Sequence, residues 1–495
     1  MLYRSTRPSA ERVSAAEAIK TGLASNGGLY MPEQLPVFDT DSLRALCGMS
    51  YEERAAEVLS RYLTDYTRQE LLDDCAAAYS DVRFPGGAAP VYALDDSISV
   101  LELWHGPTCA FKDMALQLMP RLLSGALKKT GEQRTAFILV ATSGDTGKAA
   151  LEGYRDAEQV RMMVFYPVNG VSRIQKLQMA TQEGGNVAVQ SVVGNFDDAQ
   201  TGVKKIFSDR AAAERLARSG CFFSSANSIN WGRLAPQIAY YFSSYCDMVN
   251  AGCLRLGEPL NVCVPTGNFG NIFAAYLAKR SGLPIGRLIC ASNVNNILTD
   301  FLRTGVYDRN RPFHTTMSPS MDILISSNLE RLMYLYAGSE KTAAFMEQLR
   351  ITGRYSLDEP LLEEIRRDFS GYFCSEEQTA RTILETYGQH HYLIDPHTAV
   401  GLYCAQRYIA ESGDTRPMLT VSTASAYKFS PSVLRALGAD IPADEFDCLD
   451  ALSRLTGTPI PASLASLKQK AIRFDPEKAI KADAMPDVVF AEAER

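Results

Sequence analysis

Three stretches of the sequence carry residue types and spacings that could do chemistry together. The first is Trp104-His105-Gly106-Pro107-Thr108-Cys109-Ala110-Phe111-Lys112-Asp113, followed by a helical pattern from Met114. A lysine directly after Ala110 and Phe111 is unusual for a surface position. A helix start beside it disfavours the ammonium form, because the positive end of the helix dipole repels a cation. Lys112 is thus a candidate nucleophilic amine; the plain alternative is a surface lysine that lays its alkyl chain on apolar neighbours.

The second stretch, Pro265-Thr266-Gly267-Asn268-Phe269-Gly270-Asn271, follows an apolar run at 260–264 and precedes a helical pattern at 272–280 that stops at Gly282. Two glycines let a backbone approach a ligand, and a helix start aims unpaired N–H groups at it. That arrangement suits a phosphate monoester, although an ordinary strand-to-helix turn would use the same residues. The third stretch, Ser143-Gly144-Asp145-Thr146-Gly147-Lys148, looks at first like a nucleotide P-loop. The spacing fails, since that motif needs a glycine at Thr142 and a hydroxyl at Ala149. What remains is a polar turn at the end of a strand, with Ser143, Asp145 and Thr146 able to meet a carboxylate-bearing small substrate.

The five histidines never form H-E-x-x-H, and no Cys/His spacing suggests zinc, so no metal site is expected. A reactive lysine, a phosphate cradle and no dinucleotide fingerprint together suggest a Schiff-base lysine that holds pyridoxal phosphate.

The elements that must position these stretches are legible as a pattern. Apolar runs at 137–141, 161–166, 186–192, 261–264, 287–291 and 418–421 alternate with glycine-rich turns and helical segments. Continuous apolar strands alternating with helices predict an α/β unit with mostly parallel, open sheets covered on both faces. Residues 1–95 read as a helical N-terminal unit, with helices over 51–60 and 67–79. Residues 96–430 form the catalytic region, elaborated between about 297 and 385 by helical stretches at 328–336 and 361–373. Residues 431–495 read as a mostly helical extension with a frayed end.

Composition bounds the remaining possibilities. The 495 residues correspond to roughly three domains. A net charge of −7 is the wrong sign for gripping nucleic acid by its phosphates. No stretch approaches the length of a membrane span, and the N-terminus lacks the apolar core of a signal peptide. The eleven cysteines contain no C-x-x-C pair, which is free-thiol usage in a reducing compartment, so a cytoplasmic location is expected.

Several motifs in order resemble the fold type II pyridoxal-phosphate enzymes, the architecture of tryptophan synthase β, and their wording is closest to the threonine synthase family. Beyond the three stretches above, they are Gly27-Gly28-Leu29-Tyr30-Met31-Pro32 with Leu35-Pro36, and Ser225-Ala226-Asn227-Ser228-Ile229-Asn230-Trp231. Ser318-Pro319-Ser320-Met321-Asp322-Ile323, Ser326-Ser327-Asn328 and Asp395-Pro396-His397-Thr398-Ala399 follow. The resemblance implies that Lys112 carries the cofactor, that Gly267, Asn268, Phe269, Gly270 and Asn271 hold its phosphate, and that the Thr423 hydroxyl meets its pyridine nitrogen. It also implies the reaction: O-phospho-L-homoserine plus water giving L-threonine plus phosphate, the last step of threonine biosynthesis, in a monomer or homodimer. The family's usual His-Pro-Ala-Lys-Phe is here Ser425-Ala426-Tyr427-Lys428-Phe429.

Two rivals stay open: another lyase of this fold, such as a serine or threonine dehydratase, and a non-catalytic relative that binds the cofactor without turnover. His397 reads either as a substrate-site residue or as a structural histidine. Arg173 and Lys176 either meet the substrate phosphate or form an exposed helix face. Trp231 and the aromatics at 240–242 read as core.

Overall fold

The computed structural model describes residues 1–142, 144–169 and 171–494. Its N-terminal part is four helices, Ala15–Thr21, Thr40–Cys47, Tyr51–Tyr62 and Arg68–Ala78, with a short antiparallel pair, Tyr3–Ser5 and Tyr30–Pro32. Ser50 and Thr67 start their helices with reciprocal capping boxes to Glu53 and Glu70, which satisfies amides that would otherwise be orphaned. This part packs on the helix Pro236–Asn250, where the buried Arg54 ion-pairs with Asp247 at 2.5 Å and binds the Leu46 carbonyl at 2.9 Å.

Two sheets build the rest. The larger has six strands in the order Phe369–Phe373, Ile285–Ser292, Leu260–Pro265, Met418–Ser422, Ile98–Glu102 and Val91–Ala93. All pair in parallel except Val91–Ala93 at the edge. The smaller has four parallel strands in the order Val187–Val192, Val160–Pro167, Thr135–Ala141 and Cys221–Ser224. The α/β class with mostly parallel sheets is as expected. Parallel strands send their C-terminal ends to one edge, so the loops that follow Leu260–Pro265, Met418–Ser422 and Ile98–Glu102 emerge side by side.

The helix expected over 361–373 stops at Asp368, and Phe369–Phe373 is instead the outermost strand of the larger sheet. Gly371 is the reason this edge closes tightly: a Cβ there would lie 2.9 Å from the Thr299 Cα. The end of the chain is also more ordered than expected. Ile480 pairs with Val192, and Met485–Ala493 is a helix whose Met485, Val489, Phe490 and Ala493 are buried with Phe137, Leu139, Met163 and Phe165 of the smaller sheet. Among the described residues, no helix is long and apolar enough to cross a membrane.

Candidate active site

Lys112 opens the helix Lys112–Leu116. The segment before it is held by the loop after Met418–Ser422: the Phe111 amide donates to the Thr423 carbonyl at 2.8 Å, and the Ser425 amide donates to the Cys109 carbonyl at 3.0 Å. Asp113 fixes the preceding turn, its carboxylate accepting from the Thr108 amide and hydroxyl at 2.8 Å each. A Cβ at Gly106 would lie 2.5 Å from the Asp113 side chain, so only glycine lets this turn close. Burial pushes the Asp113 carboxyl up to about 6, against the Thr108 bonds.

The Lys112 side chain keeps 13% exposure. Its Nζ donates to the Ser320 hydroxyl at 3.2 Å and lies 3.9 Å from Asp145 Oδ2. Burial pushes this amine down to about 8; Asp145 opposes the shift, while Lys428 and Arg233 reinforce it. An amine with that midpoint is partly free near neutrality and largely free above about pH 8, as a nucleophile and proton carrier requires.

Asp145 begins the helix Asp145–Tyr154, after Gly144 at φ 147°. Its Oδ1 receives Lys428 Nζ at 2.7 Å and Gln175 Nε2 at 3.0 Å. Burial pushes this carboxyl up, but the Lys428 and Lys112 ammoniums outweigh it and hold it well below the usual carboxylate range. Since Asp145 is thus engaged, what the turn leaves for a substrate carboxylate is its amides at 145 and 146 and the partly exposed Thr146. Ser143 lies outside the described residues.

The loop 267–271 is built without a charged side chain. The amides of Gly267, Asn268, Phe269, Gly270 and Asn271 donate to no acceptor among the described residues. Phe269 sits at φ 62° and turns the backbone into the helix Gly270–Arg280. The Ser326 hydroxyl holds the Gly267 carbonyl at 2.8 Å, and the Asn328 amide and side chain hold that of Asn268 at 3.1 and 3.0 Å. Asn271 Oδ1 accepts the Tyr240 and Tyr241 hydroxyls at 2.7 and 2.5 Å, which leaves its Nδ2 buried and unpartnered. Unmet buried donors are costly, so this arrangement suits an acceptor-rich anion. Thr423 is buried one residue beyond the strand Met418–Ser422, and its hydroxyl has no partner among the described residues.

Sequence reasoning missed four side chains that the fold brings here. Ser320 bonds Lys112, and its amide donates to His397 Nε2 at 3.1 Å. An amide only donates, so His397 carries its proton on Nδ1, which faces Asp395 at 2.6 Å. Lys428 and Gln175 meet on Asp145. Arg233 is buried, pushed down by burial to about 10, and its guanidinium makes one hydrogen bond among the described residues, from Nη1 to the Ala226 carbonyl at 2.8 Å. Among the described residues no carboxylate pairs with it. Ser320 and Lys428 lay inside the motifs quoted above and Arg233 two residues past one, so the signal was position within a motif. Arg173 is exposed and ion-paired with Asp444 of the C-terminal extension. The departure at 425–427 leaves the backbone pairing to Cys109 intact; Tyr427 uses its hydroxyl to bind the Thr458 carbonyl at 2.6 Å.

Residues 2–79 match the family described as Threonine synthase N terminus, 93–424 the Pyridoxal-phosphate dependent enzyme family, and 398–489 Threonine synthase, C-terminal. Threonine synthase of Pseudomonas aeruginosa is 38% identical over 478 residues, covering 94% of this chain and 97% of its own length. The chain belongs to the threonine synthase family. A pyridoxal-phosphate-bound crystal structure of the Brucella melitensis threonine synthase superposes with a TM-score of 0.89 at 36% identity, covering both chains fully. Human threonine synthase-like 1 is 41% identical over 443 residues, which is 86% of this chain and 59% of that protein. The chain thus spans less than two thirds of that relative's length.

Pyridoxal 5′-phosphate is the cofactor of this threonine synthase family member, and the residues present suit it. The unpartnered Asn271 Nδ2 and the open amides of 267–271 would hold its phosphate, Thr423 its pyridine nitrogen, and Lys112 its aldehyde carbon.

Proposed function

We propose that this protein is a lyase that converts O-phospho-L-homoserine and water to L-threonine and phosphate, in threonine biosynthesis. The observation that supports the substrate is Arg233: a buried guanidinium whose charge bears on the Lys112 amine and which pairs with no carboxylate among the described residues. A buried charge of that kind is costly unless an anion joins it. The cofactor phosphate already has the loop 267–271, so Arg233 suits a second phosphate, the one on the substrate, in the bidentate geometry guanidinium favours.

The cofactor, when bound, supplies a sink for the electron pair released at Cα. Lys112, with a midpoint near 8, takes protons from Cα and Cβ and returns them to Cγ and, once water has added, to Cα. Phosphate departs from Cγ with the C–O electron pair, Cγ gains a proton to become a methyl group, and the water oxygen bonds to Cβ. The amides at 145 and 146 would hold the substrate carboxylate, and a neutral Thr423 hydroxyl at the pyridine nitrogen would restrain the sink. A monomer or homodimer is proposed as the working unit. The eleven free thiols support a cytoplasmic location.

The test is release of phosphate with formation of threonine from phosphohomoserine, run beside homoserine, serine and threonine. A site that leaves Arg233 unpaired should reject the unphosphorylated amino acids by at least about a hundredfold in kcat/KM. Comparable turnover of serine would instead make it a dehydratase, and no phosphate release would make it a cofactor-binding relative without turnover.

A further inference from the structure

Lys428 is a second buried lysine within the site, and nothing above gives it a role in the reaction. Its side chain is 1% exposed, and its Nζ has two fixed partners: Asp145 Oδ1 at 2.7 Å and the Thr108 carbonyl at 2.8 Å. Its own amide is tied to the Ser425 carbonyl at 3.1 Å, so the side chain springs from a rigid turn. Asp145 stands between Lys428 and Lys112, 2.7 Å from the first and 3.9 Å from the second.

We propose that Lys428 is a positioning residue that claims Asp145 as its own counter-charge, so that Lys112 is left without one and stands free as the reactive amine. The argument is one of charge count in a place sheltered from water. With Lys428 charged and Asp145 ionised, the trio is neutral only when Lys112 is neutral; a proton on Lys112 leaves one positive charge uncompensated. Two further charged groups face this trio with opposite effects on Lys112, Arg233 favouring its free form and Asp113 its protonated form. Arg233, on the neighbouring helix Trp231–Leu234, adds positive charge. Asp113 is turned toward Thr108, and Cys109 is a buried thiol pushed up to about 11. Remove the Lys428 charge, and Asp145 faces Lys112 alone and draws a proton onto it.

A merely structural role, bracing the Thr108 turn, makes a different forecast. Lys428→Gln keeps an amide donor for the Thr108 carbonyl and loses only the charge; Lys428→Met loses both. The experiment reads the protonation of Lys112 in the cofactor-free full chain, by competitive acylation across pH and peptide mass spectrometry. Either substitution should move the Lys112 midpoint up by about one pH unit or more. Lys428→Arg should stay near the parent, and Lys428→Met combined with Asp145→Asn should return it to the parent value or below. An unmoved midpoint in Lys428→Gln, or an equal rise in the double variant, overturns the proposal. The inference rests on Lys112 being the reactive amine, and because neither substrate nor cofactor is present, its failure would leave the phosphohomoserine assignment standing.

Discussion

The loop 267–271 offers a ligand only backbone amides and the carboxamides of Asn268 and Asn271, whereas the ground around Lys112 is crowded with groups that titrate: Asp145, Lys428, Arg233 and Asp113. The loop follows Leu260–Pro265 of the larger sheet, Lys428 and Lys112 follow Met418–Ser422 and Ile98–Glu102 of the same sheet, and Asp145 follows Thr135–Ala141 of the smaller one, yet the two regions bind by different physics. Fixed backbone dipoles hold an anion with a strength that hardly depends on pH. A cluster of buried charges sets whether an amine carries a proton, and so its chemistry follows pH steeply. The cofactor is thus gripped by a part of the site that does not change and worked on by a part that does.

The comparison can be broken most severely from the titrating side. Lys112→Ala should cut phosphate release by about three orders of magnitude or more, because no other group can both attach the cofactor and move its protons. The loop is untouched, so the variant should still bind the cofactor without a covalent link, as equilibrium dialysis would show. Arg233→Gln should lower kcat/KM for phosphohomoserine by about a hundredfold or more while cofactor affinity stays put. A fall in cofactor affinity instead would move Arg233 to the cofactor phosphate.

From the other side, Gly267→Ala should weaken cofactor retention by about tenfold, since the new Cβ would lie 2.6 Å from the Ser320 carbonyl oxygen and force the loop to shift. Gly270 is the looser of the two glycines: its Cβ would meet the Asn328 and Gln237 side chains at 3.5 and 3.8 Å, ordinary contact distances, so Gly270→Ala should retain the cofactor nearly as well as the parent. The smallest effect sharpens the contrast. Lys112 is protonated below about 8 and free above it, so the rate of covalent cofactor attachment should rise as pH rises through that value. Binding of pyridoxine phosphate, which lacks the aldehyde and so forms no bond to Lys112, should stay nearly flat from about pH 7 to 9.

What the sequence revealed divides along the same line. The loop 267–271 was legible because its signal is local: strand, glycine pair and helix start in order within a few residues. Lys112 was legible through its apolar approach and the helix that it opens. The charge balance around it was not, because Lys428 and Asp145 are far apart in the chain and meet only when the loop after Met418–Ser422 pairs with residues 109–111. The strand Phe369–Phe373 was missed for a similar reason. It continues directly from a strong helical pattern, and what makes it a strand is the free edge of Ile285–Ser292, with which it pairs in parallel.

Two lysines flank Asp145, and the account stands on which of them is the reactive one. Reducing the cofactor-loaded protein with borohydride fixes the cofactor to its lysine as a stable secondary amine, and peptide mapping then finds it. The label should fall on Lys112 alone. A label on Lys428, on any other lysine, or on none would contradict the division of roles in this site.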